Sequence, residues 1–129
     1  MAITATFEIE ILPNETPLLP GIGRFDFNKV WSGDMEGISS GVMLSAGDPA
    51  NGVAGYVAME VFKGSIAGKR GTVALQQFGT MDGGGQGLRY VISPGSGTDE
   101  LAGAIGVLNL TVDEGTGEHS VLVELGSDR

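Results

Sequence analysis

The segment 55–64, GYVAMEVFKG, holds the residues best suited to acid–base chemistry. Alternate side chains of a β-strand share a face, and this segment would place Tyr56 and Glu60 on one side. The opposite side would be wholly apolar, with Val57, Met59 and Val61. If Glu60 points into an enclosed interior, it is a candidate catalytic acid or base. If it points outward, it is an ordinary solvated carboxylate, and the sequence leaves both orientations open.

Glu60 and Tyr56 cannot act as a direct pair, because four residues along a strand span roughly 13 Å at about 3.3 Å per residue. A partner must therefore come from a neighbouring strand, and the next one along the chain carries Gln76 and Gln77. An odd number of connecting residues places Glu60 opposite Gln76, and an even number places it opposite Leu75 or Gln77. We predict that Tyr56, Gln76 and Gln77 contact a ligand beside Glu60.

Three other side chains are predicted ligand contacts. Phe25 and Trp31 share one face of their strand, and such aromatic residues either fill a core or form the wall of an apolar pocket. Arg89 also lies on a strand, where it could enter the interior, face solvent or pair with a carboxylate. Histidine is the side chain whose unperturbed pKa lies in the physiological range, but His119 begins a strand beside a turn, which favours an exposed or capping role over catalysis.

Composition excludes several classes of function. The 129 residues carry a formal net charge of −9, which argues against partners such as nucleic acid and anionic membrane surfaces. The absence of cysteine and the single histidine exclude thiolate chemistry and the common zinc clusters, so we predict no metal and no cofactor. No apolar run approaches the roughly 20 residues of a membrane-spanning helix. The N-terminal MAITATFEIEIL does not resemble a signal peptide, and we expect a cytoplasmic protein.

The rest of the chain predicts many short strands and no helix. Twenty-three glycines separate short apolar and β-branched runs, and no stretch keeps a 3.6-residue apolar period. Eight segments have the character of strands: 3–12, 24–31, 35–46, 56–62, 72–78, 88–93, 104–112 and 119–125. Without helices to cover a sheet, such strands are expected to close on themselves. We predict an all-β fold, a small closed antiparallel eight-stranded barrel formed by one domain over residues 1–129. A two-sheet sandwich is the alternative.

Three blocks in a fixed order resemble a bacterial family of single-domain proteins known as a domain of unknown function. The blocks are GDMEGISSGVMLSA, GYVAMEVFKGSIAGKRGTVALQQFGT and VISPGSGTDELAGAIG, and the resemblance extends over roughly residues 24 to 125. It implies a barrel similar to allene oxide cyclase. The last block is loosely similar to the glycine-rich turn of plant allene oxide cyclases and dirigent proteins, but extra residues separate its glycines, so that wider similarity implies fold and not activity.

The resemblance also bears on Gln77. In the family that this chain resembles, histidine often occupies the position after Leu75-Gln76, whereas this chain has Gln77 there. If a proton-transfer role belongs to that histidine, this protein lacks it. The resemblance therefore implies a fold and leaves the reaction open.

Three functions are compatible with these observations. The first is the binding of a small apolar or amphipathic molecule in the barrel lumen. The second is an enzyme without cofactor, an isomerase, cyclase or proton-abstracting enzyme, that uses Glu60 in the lumen. The third is a structural or stress-associated oligomeric protein with a filled core and no pocket. Barrels of this type often associate, so we expect a homo-oligomer.

Overall fold

The computed structural model describes residues 1–14, 19–82 and 85–127. Eight strands account for most of them: β1 Ala2–Asn14, β2 Gly23–Gly33, β3 Met35–Asp48, β4 Val53–Ile66, β5 Lys69–Asp82, β6 Gly85–Ile92, β7 Ala104–Val112 and β8 His119–Ser127. Two short 3₁₀ turns, Pro49–Asn51 and Asp99–Leu101, lie in connections. All eight predicted strands are present. Residues 15–18, 83–84 and 128–129 of the predicted domain lie outside the described residues.

The strands form one closed barrel in which each is antiparallel to its neighbour in the chain. β8 returns to β1, where Ala2 lies opposite Glu124, and closure completes the ring. The predicted eight-stranded barrel is therefore confirmed, and the alternative of two packed sheets is wrong. Closure removes free sheet edges, because every strand has a hydrogen-bonded neighbour on both sides.

Tight turns fix the register of the strands. Between β4 and β5 the connection is only Ala67 and Gly68, which both have positive φ, 51° and 82°. Two such residues form the primed turn that suits the twist of a hairpin. The even count places Ile66 opposite Lys69 and Glu60 opposite Leu75. Of the two registers that the sequence leaves open, the structure therefore has the one for an even count, with Leu75 opposite Glu60.

One half of the barrel interior is packed by large side chains. Trp31, Phe62 and Leu75 are buried there, and Leu101 from the 3₁₀ turn joins the same cluster. The rest of that cluster comes from alternate positions of the strands, including Met35, Ile66, Val73, Ile92, Leu108, Val121 and Val123. This sealed half anchors the strands and leaves the opposite end of the barrel to form a site.

No helix within the described residues has the length and apolar character needed to cross a membrane. The sequence-based expectation of a cytoplasmic location stays a prediction.

Candidate functional site

The side chain of Glu60 points into the barrel. Only 3% of the residue is exposed, and Tyr56, Ala58 and Phe62 share its inward face. The apolar residues between them therefore point outward. This orientation follows from register, because Glu60 lies in one transverse row with the buried Phe27 and Leu75.

A buried lysine from β2 is the main partner of Glu60. Lys29 Nζ lies 2.9 Å from Glu60 Oε1 and 2.8 Å from the hydroxyl of Tyr90. The Tyr90 hydroxyl donates to the same Glu60 Oε1 at 2.6 Å. Ser39 Oγ donates to Glu60 Oε2 at 2.6 Å, and Trp31 Nε1 donates to Ser39 Oγ at 3.0 Å. These five side chains, from β2, β3, β4 and β6, form the internal polar network.

The internal polar network is fully satisfied. Across the described part of the chain, every buried side-chain nitrogen and oxygen has a hydrogen-bond partner. This matters because a buried charge without partners costs several kcal/mol, about 3–5 when one member of a pair is removed. Lys29 is as deeply buried as Glu60, at 3% exposed, so neither charge is solvated and each depends on the other.

Aromatic rings surround the Lys29 ammonium. Its Nζ lies 4.4 Å from the ring centroid of Phe7, 4.9 Å from that of Tyr90, 5.2 Å from that of Phe27 and 5.5 Å from that of Trp31. All four distances are within the roughly 6 Å at which a ring face attracts a cation. The rings also exclude water, which strengthens the electrostatic contacts inside.

Burial shifts the titration of the groups in this region. Desolvation lowers the pKa of Lys29 from 10.5, against the opposing effects of the charge and hydrogen bond of Glu60. Desolvation raises the pKa of Tyr90 well above 10.0, and the Glu60 carboxylate adds to that rise. Desolvation also raises the pKa of Tyr56 from 10.0, although its hydrogen bond from Gln77 opposes the change. Both tyrosines therefore stay protonated and can act as donors.

Two glycines make room for the inward side chains. A Cβ on Gly41 would lie 2.5 Å from Phe27 Cζ and 2.6 Å from Glu60 Cβ, because both side chains lie over that point of β3. A Cβ on Gly79 would lie 2.2 Å from the ring of Tyr56. Glycine at these positions is therefore a requirement of the site, since any larger residue would displace the side chain above it.

A cavity of about 180 Å³ lies at the end of the barrel opposite the sealed half. Its deepest walls are buried side chains, Phe7, Phe27, Lys29 and Ala58, whereas Ile11 is half exposed at its rim. The other lining residues are Ile9, Met43, Tyr56, Gln77, Leu110, Val112 and His119. The cavity therefore has a mostly apolar wall and a charged amine at its base.

Two predicted ligand contacts line this cavity. Tyr56 and Gln77 both point inward, and Gln77 Nε2 donates to the Tyr56 hydroxyl at 2.7 Å. His119 lies in the wall as well, where its ring stacks on Phe7 with centroids 5.0 Å apart. Glu60 is covered by Lys29 and does not line the cavity.

Two other predicted contacts point the opposite way. Gln76 and Arg89 are exposed on the outside of the barrel, where Gln76 accepts a hydrogen bond from Ser93 Oγ at 2.8 Å. Neither side chain faces the lumen, and of the orientations left open for Arg89 the structure has the solvent-facing one. The reason is strand alternation: Gln77 and Tyr90 occupy the inward positions, so their neighbours in the chain must face outward.

The two predicted aromatic contacts are not in the cavity wall. Trp31 is buried in the sealed half and belongs to the internal polar network through its indole nitrogen. Phe25 is half-buried, on the same inward side of β2, but it does not line the cavity. Phe27, between them, is the aromatic residue that does.

The sequence interpretation missed Lys29, Ser39 and Tyr90. Lys29 had a detectable signal, because it alternates with Phe25, Phe27 and Trp31 and must share their face. Ser39 and Tyr90 had none, because both occur in ordinary strand sequence and their role depends on pairing across several strands. Among the described residues, no group of three or more His, Cys, Asp or Glu comes together to hold a metal ion.

The comparison with known families covers almost the whole chain. Residues 3–125 match the family described as proteins of unknown function, DUF3224. The chain belongs to the DUF3224 family. The sequence resemblance to a family of unknown function with a closed barrel is thereby confirmed.

A DUF3224 protein of unknown function from Shewanella oneidensis MR-1, solved by crystallography, has a similar structure. It is 32% identical in sequence and matches with a TM-score of 0.90, over 100% of this chain and 98% of that chain. No curated protein matches this DUF3224 chain.

Proposed function

We propose that this protein binds a small, mostly apolar molecule that carries an oxygen acceptor, in the cavity at the open end of the barrel. The observation that supports this proposal is the combination of an apolar wall with one buried amine, Lys29, at its base. Binding sites for small molecules commonly have this character, since apolar walls give affinity and a few polar groups fix orientation.

The size of the cavity limits the ligand. Drug-sized molecules occupy pockets of about 300–1,000 Å³, whereas an apolar cavity of about 150 Å³ can hold benzene. The 180 Å³ of this cavity suits a molecule with a single ring or a short chain.

Two hydrogen-bond donors are available for the ligand oxygen. An ammonium has three N–H groups, and Lys29 uses two of them on Glu60 and Tyr90 among the described residues. The third is left for a molecule in the cavity. The Tyr56 hydroxyl accepts from Gln77, so its own hydrogen also remains available.

Direct acid–base catalysis by Glu60 is less well supported than binding. Both carboxylate oxygens already accept hydrogen bonds, from Lys29 and Tyr90 on one side and from Ser39 on the other. Lys29 also stands between Glu60 and the cavity. Any role of Glu60 in chemistry would therefore pass through Lys29.

A variant that fills the cavity tests this proposal. Ala58→Leu adds bulk to the buried wall, and the matched control Val57→Leu changes the neighbouring residue on the outside. Native mass spectrometry of the wild-type chain should reveal a bound small molecule, either co-purified or added as benzyl alcohol. The Ala58→Leu variant should lose it and the control should retain it. Equal binding by both variants, or no binding by the wild-type chain, would contradict the proposal.

We also propose a second copy of the chain as partner, through the outer face of β3 to β7. A row of paired positions crosses this face: Val42, Met59, Gln76, Val91 and Val107. Monomers seldom expose a large contiguous apolar patch. The row contains no acidic residue between Asp26 of β2 and Glu124 of β8, which lie at its two ends. Two copies can therefore meet at its centre with less repulsion than elsewhere on a surface of net charge −9.

A further inference from the structure

We infer that Lys29 is a nucleophilic amine that forms an imine with an aldehyde or ketone bound in the cavity. This inference rests on the proposed function, because it requires a ligand in the lumen, and it adds the chemical class of that ligand and a covalent step.

The position of Lys29 separates it from the other lysines. The chain has three lysines, and Lys63 and Lys69 are exposed on the outside of the barrel. Lys29 alone is buried and lines a cavity, within an apolar wall that would hold a carbonyl compound beside its amine. Proximity of this kind converts a bimolecular attack into an effectively unimolecular one.

Burial makes the neutral amine that attack requires easier to reach at Lys29 than at an ordinary exposed lysine. Desolvation lowers its pKa, and a lysine in an apolar site is a recognised type of Schiff-base nucleophile. The titratable groups that face the amine are Glu60 from β4 and Tyr90 from β6, while Tyr56 and His119 lie in the same cavity wall. Glu60 is the only carboxylate in contact with Lys29 in the described structure, and it is placed to take the ammonium proton.

The step balances without an external reagent. Glu60 Oε1 accepts one proton from the Lys29 ammonium, and the freed nitrogen lone pair attacks the carbonyl carbon while its π bond moves onto oxygen. The nitrogen passes a second proton to that oxygen, which gives a neutral carbinolamine. The proton on Glu60 returns to the Lys29 nitrogen, the nitrogen passes a proton on to the hydroxyl group, and this group leaves as water while a C=N⁺ bond forms. One ammonium and one carbonyl become one protonated imine and one water, with Glu60 again ionised. The protonated imine keeps the positive charge that the Glu60 carboxylate and the surrounding rings stabilise.

Reductive trapping tests this inference on the wild-type chain. The protein is incubated with propanal, hexanal or benzaldehyde and sodium cyanoborohydride, and the alkylated residues are mapped by peptide mass spectrometry. Lys63, Lys69 and the terminal amine of Met1 serve as internal controls. We expect Lys29 to be modified at least about tenfold faster than Lys63 and Lys69 with one or more of the aldehydes, because the cavity would hold the carbonyl compound beside its amine.

Benzyl alcohol separates this inference from the proposed function. It matches benzaldehyde in size but has no carbonyl carbon. Binding of benzyl alcohol with no trapping at Lys29 by any of the three aldehydes would overturn the imine and leave the binding cavity intact. The same result would indicate that Lys29 acts only as a hydrogen-bond donor. If benzyl alcohol does not bind and no aldehyde is trapped at Lys29, both the binding cavity and the imine are overturned. Trapping spread evenly over all amines would also overturn the imine.

The role of Glu60 is tested by the pH profile of the trapping. Glu60→Gln removes the charge that raises the pKa of Lys29, so the profile of Lys29 labelling should move to lower pH. An exposed control, Glu36→Gln, should leave the profile in place. An unchanged profile in a folded Glu60→Gln variant would remove Glu60 from the proton balance. If that variant does not fold, the wild-type trapping still decides whether Lys29 is the nucleophile.

Discussion

The two faces of β4 show opposite relations between polarity and burial. On the outside, Met59 and Val61 are apolar and 53% and 58% exposed. On the inside, Glu60 is charged and buried beside Phe62. If polar residues always faced the surface, this strand would be turned over, with Glu60 outside and Met59 and Val61 inside. The comparison shows that the orientation is set by the whole inward row and not by the polarity of one residue.

The inner face tolerates charge because the charge is paired, whereas the outer face exposes apolar side chains. The interior contributes Lys29, Ser39 and Tyr90 to satisfy Glu60. On the outer face, the apolar side chains of Met59 and Val61 stay exposed. This difference predicts that substitutions inside will affect folding and substitutions outside will affect association.

The largest effect should come from removing one member of the buried ion pair. Lys29→Met leaves the Glu60 carboxylate buried without its cation, and we expect the free energy of unfolding to fall by about 3–5 kcal/mol. Urea unfolding followed by the fluorescence of Trp31, the single tryptophan, measures it. The exposed control Lys63→Met should change stability by no more than about 0.5 kcal/mol.

A double variant tests whether the unpaired charge of Glu60 causes this loss of stability. Replacement of a whole buried pair by apolar residues is often close to neutral, so Lys29→Met with Glu60→Leu should be more stable than Lys29→Met alone. A double variant less stable than the single one would contradict the view that the unpaired charge is the source of the loss.

A smaller effect is expected from Gly41→Ala. Its Cβ would meet Phe27, Glu60 and the carbonyl oxygen of Met59 at 2.5–2.6 Å, and overpacking of this kind costs about 1–3 kcal/mol. Gly55→Ala is the matched control, because its Cβ meets nothing closer than 3.7 Å. Urea unfolding of the two variants should separate them. Similar stabilities would show that the interior over Gly41 can relax.

A substitution on the outer face should change association more than folding. Met59→Lys places a charge in the middle of the apolar row and should convert a dimer to a monomer in sedimentation velocity. Its effect on the unfolding free energy of the single chain should be at most about 0.5 kcal/mol. Leu122→Lys, an exposed site on β8, is the control and should leave association unchanged. A wild-type chain that sediments as a monomer would refute the predicted second copy.

The smallest effect concerns alkaline pH. Tyr90 keeps its proton in the folded chain to a pH well above 10.0, whereas an unfolded tyrosine loses it near that value. Its contribution to stability is therefore complete below 10.0 and is lost as pH rises towards the folded pKa. Tyr90→Phe should remove the part of the loss of stability at alkaline pH that comes from Tyr90. Tyrosinate absorbance reports it directly, since the chain has only two tyrosines, and titration of Tyr90 at the ordinary value would contradict it.

The fold was predictable from the sequence because its signals are local. Alternation of apolar residues and frequent glycines indicate each strand, and the absence of helical periodicity leaves closure as the way to cover the sheet. The strand ends were predicted too short, as at β4 and β5, because glycines such as Gly64 and Gly71 continue the strands instead of ending them.

The site was only partly predictable because it depends on register between strands distant in sequence. The sequence predicts Tyr56 and Gln77 as ligand contacts but leaves open which way their strands face. Gln76 was not separable from Gln77 until the two-residue turn after Ile66 fixed which of them points inward. The contact between Lys29 and Glu60 joins β2 to β4, and no local pattern specifies it.

The pairing of β8 with β1 has a consequence for synthesis of the chain. Ala2 lies opposite Glu124, so the first strand of the barrel to be synthesised waits for the last before the ring can close. Contacts so distant in sequence slow folding, since their entropy cost comes before their stabilisation. Until then β1 has an unpaired edge, and an unpaired edge can recruit another chain. Its alternating Glu8 and Glu10, exposed on the outside of the barrel, would repel a second nascent chain during that interval.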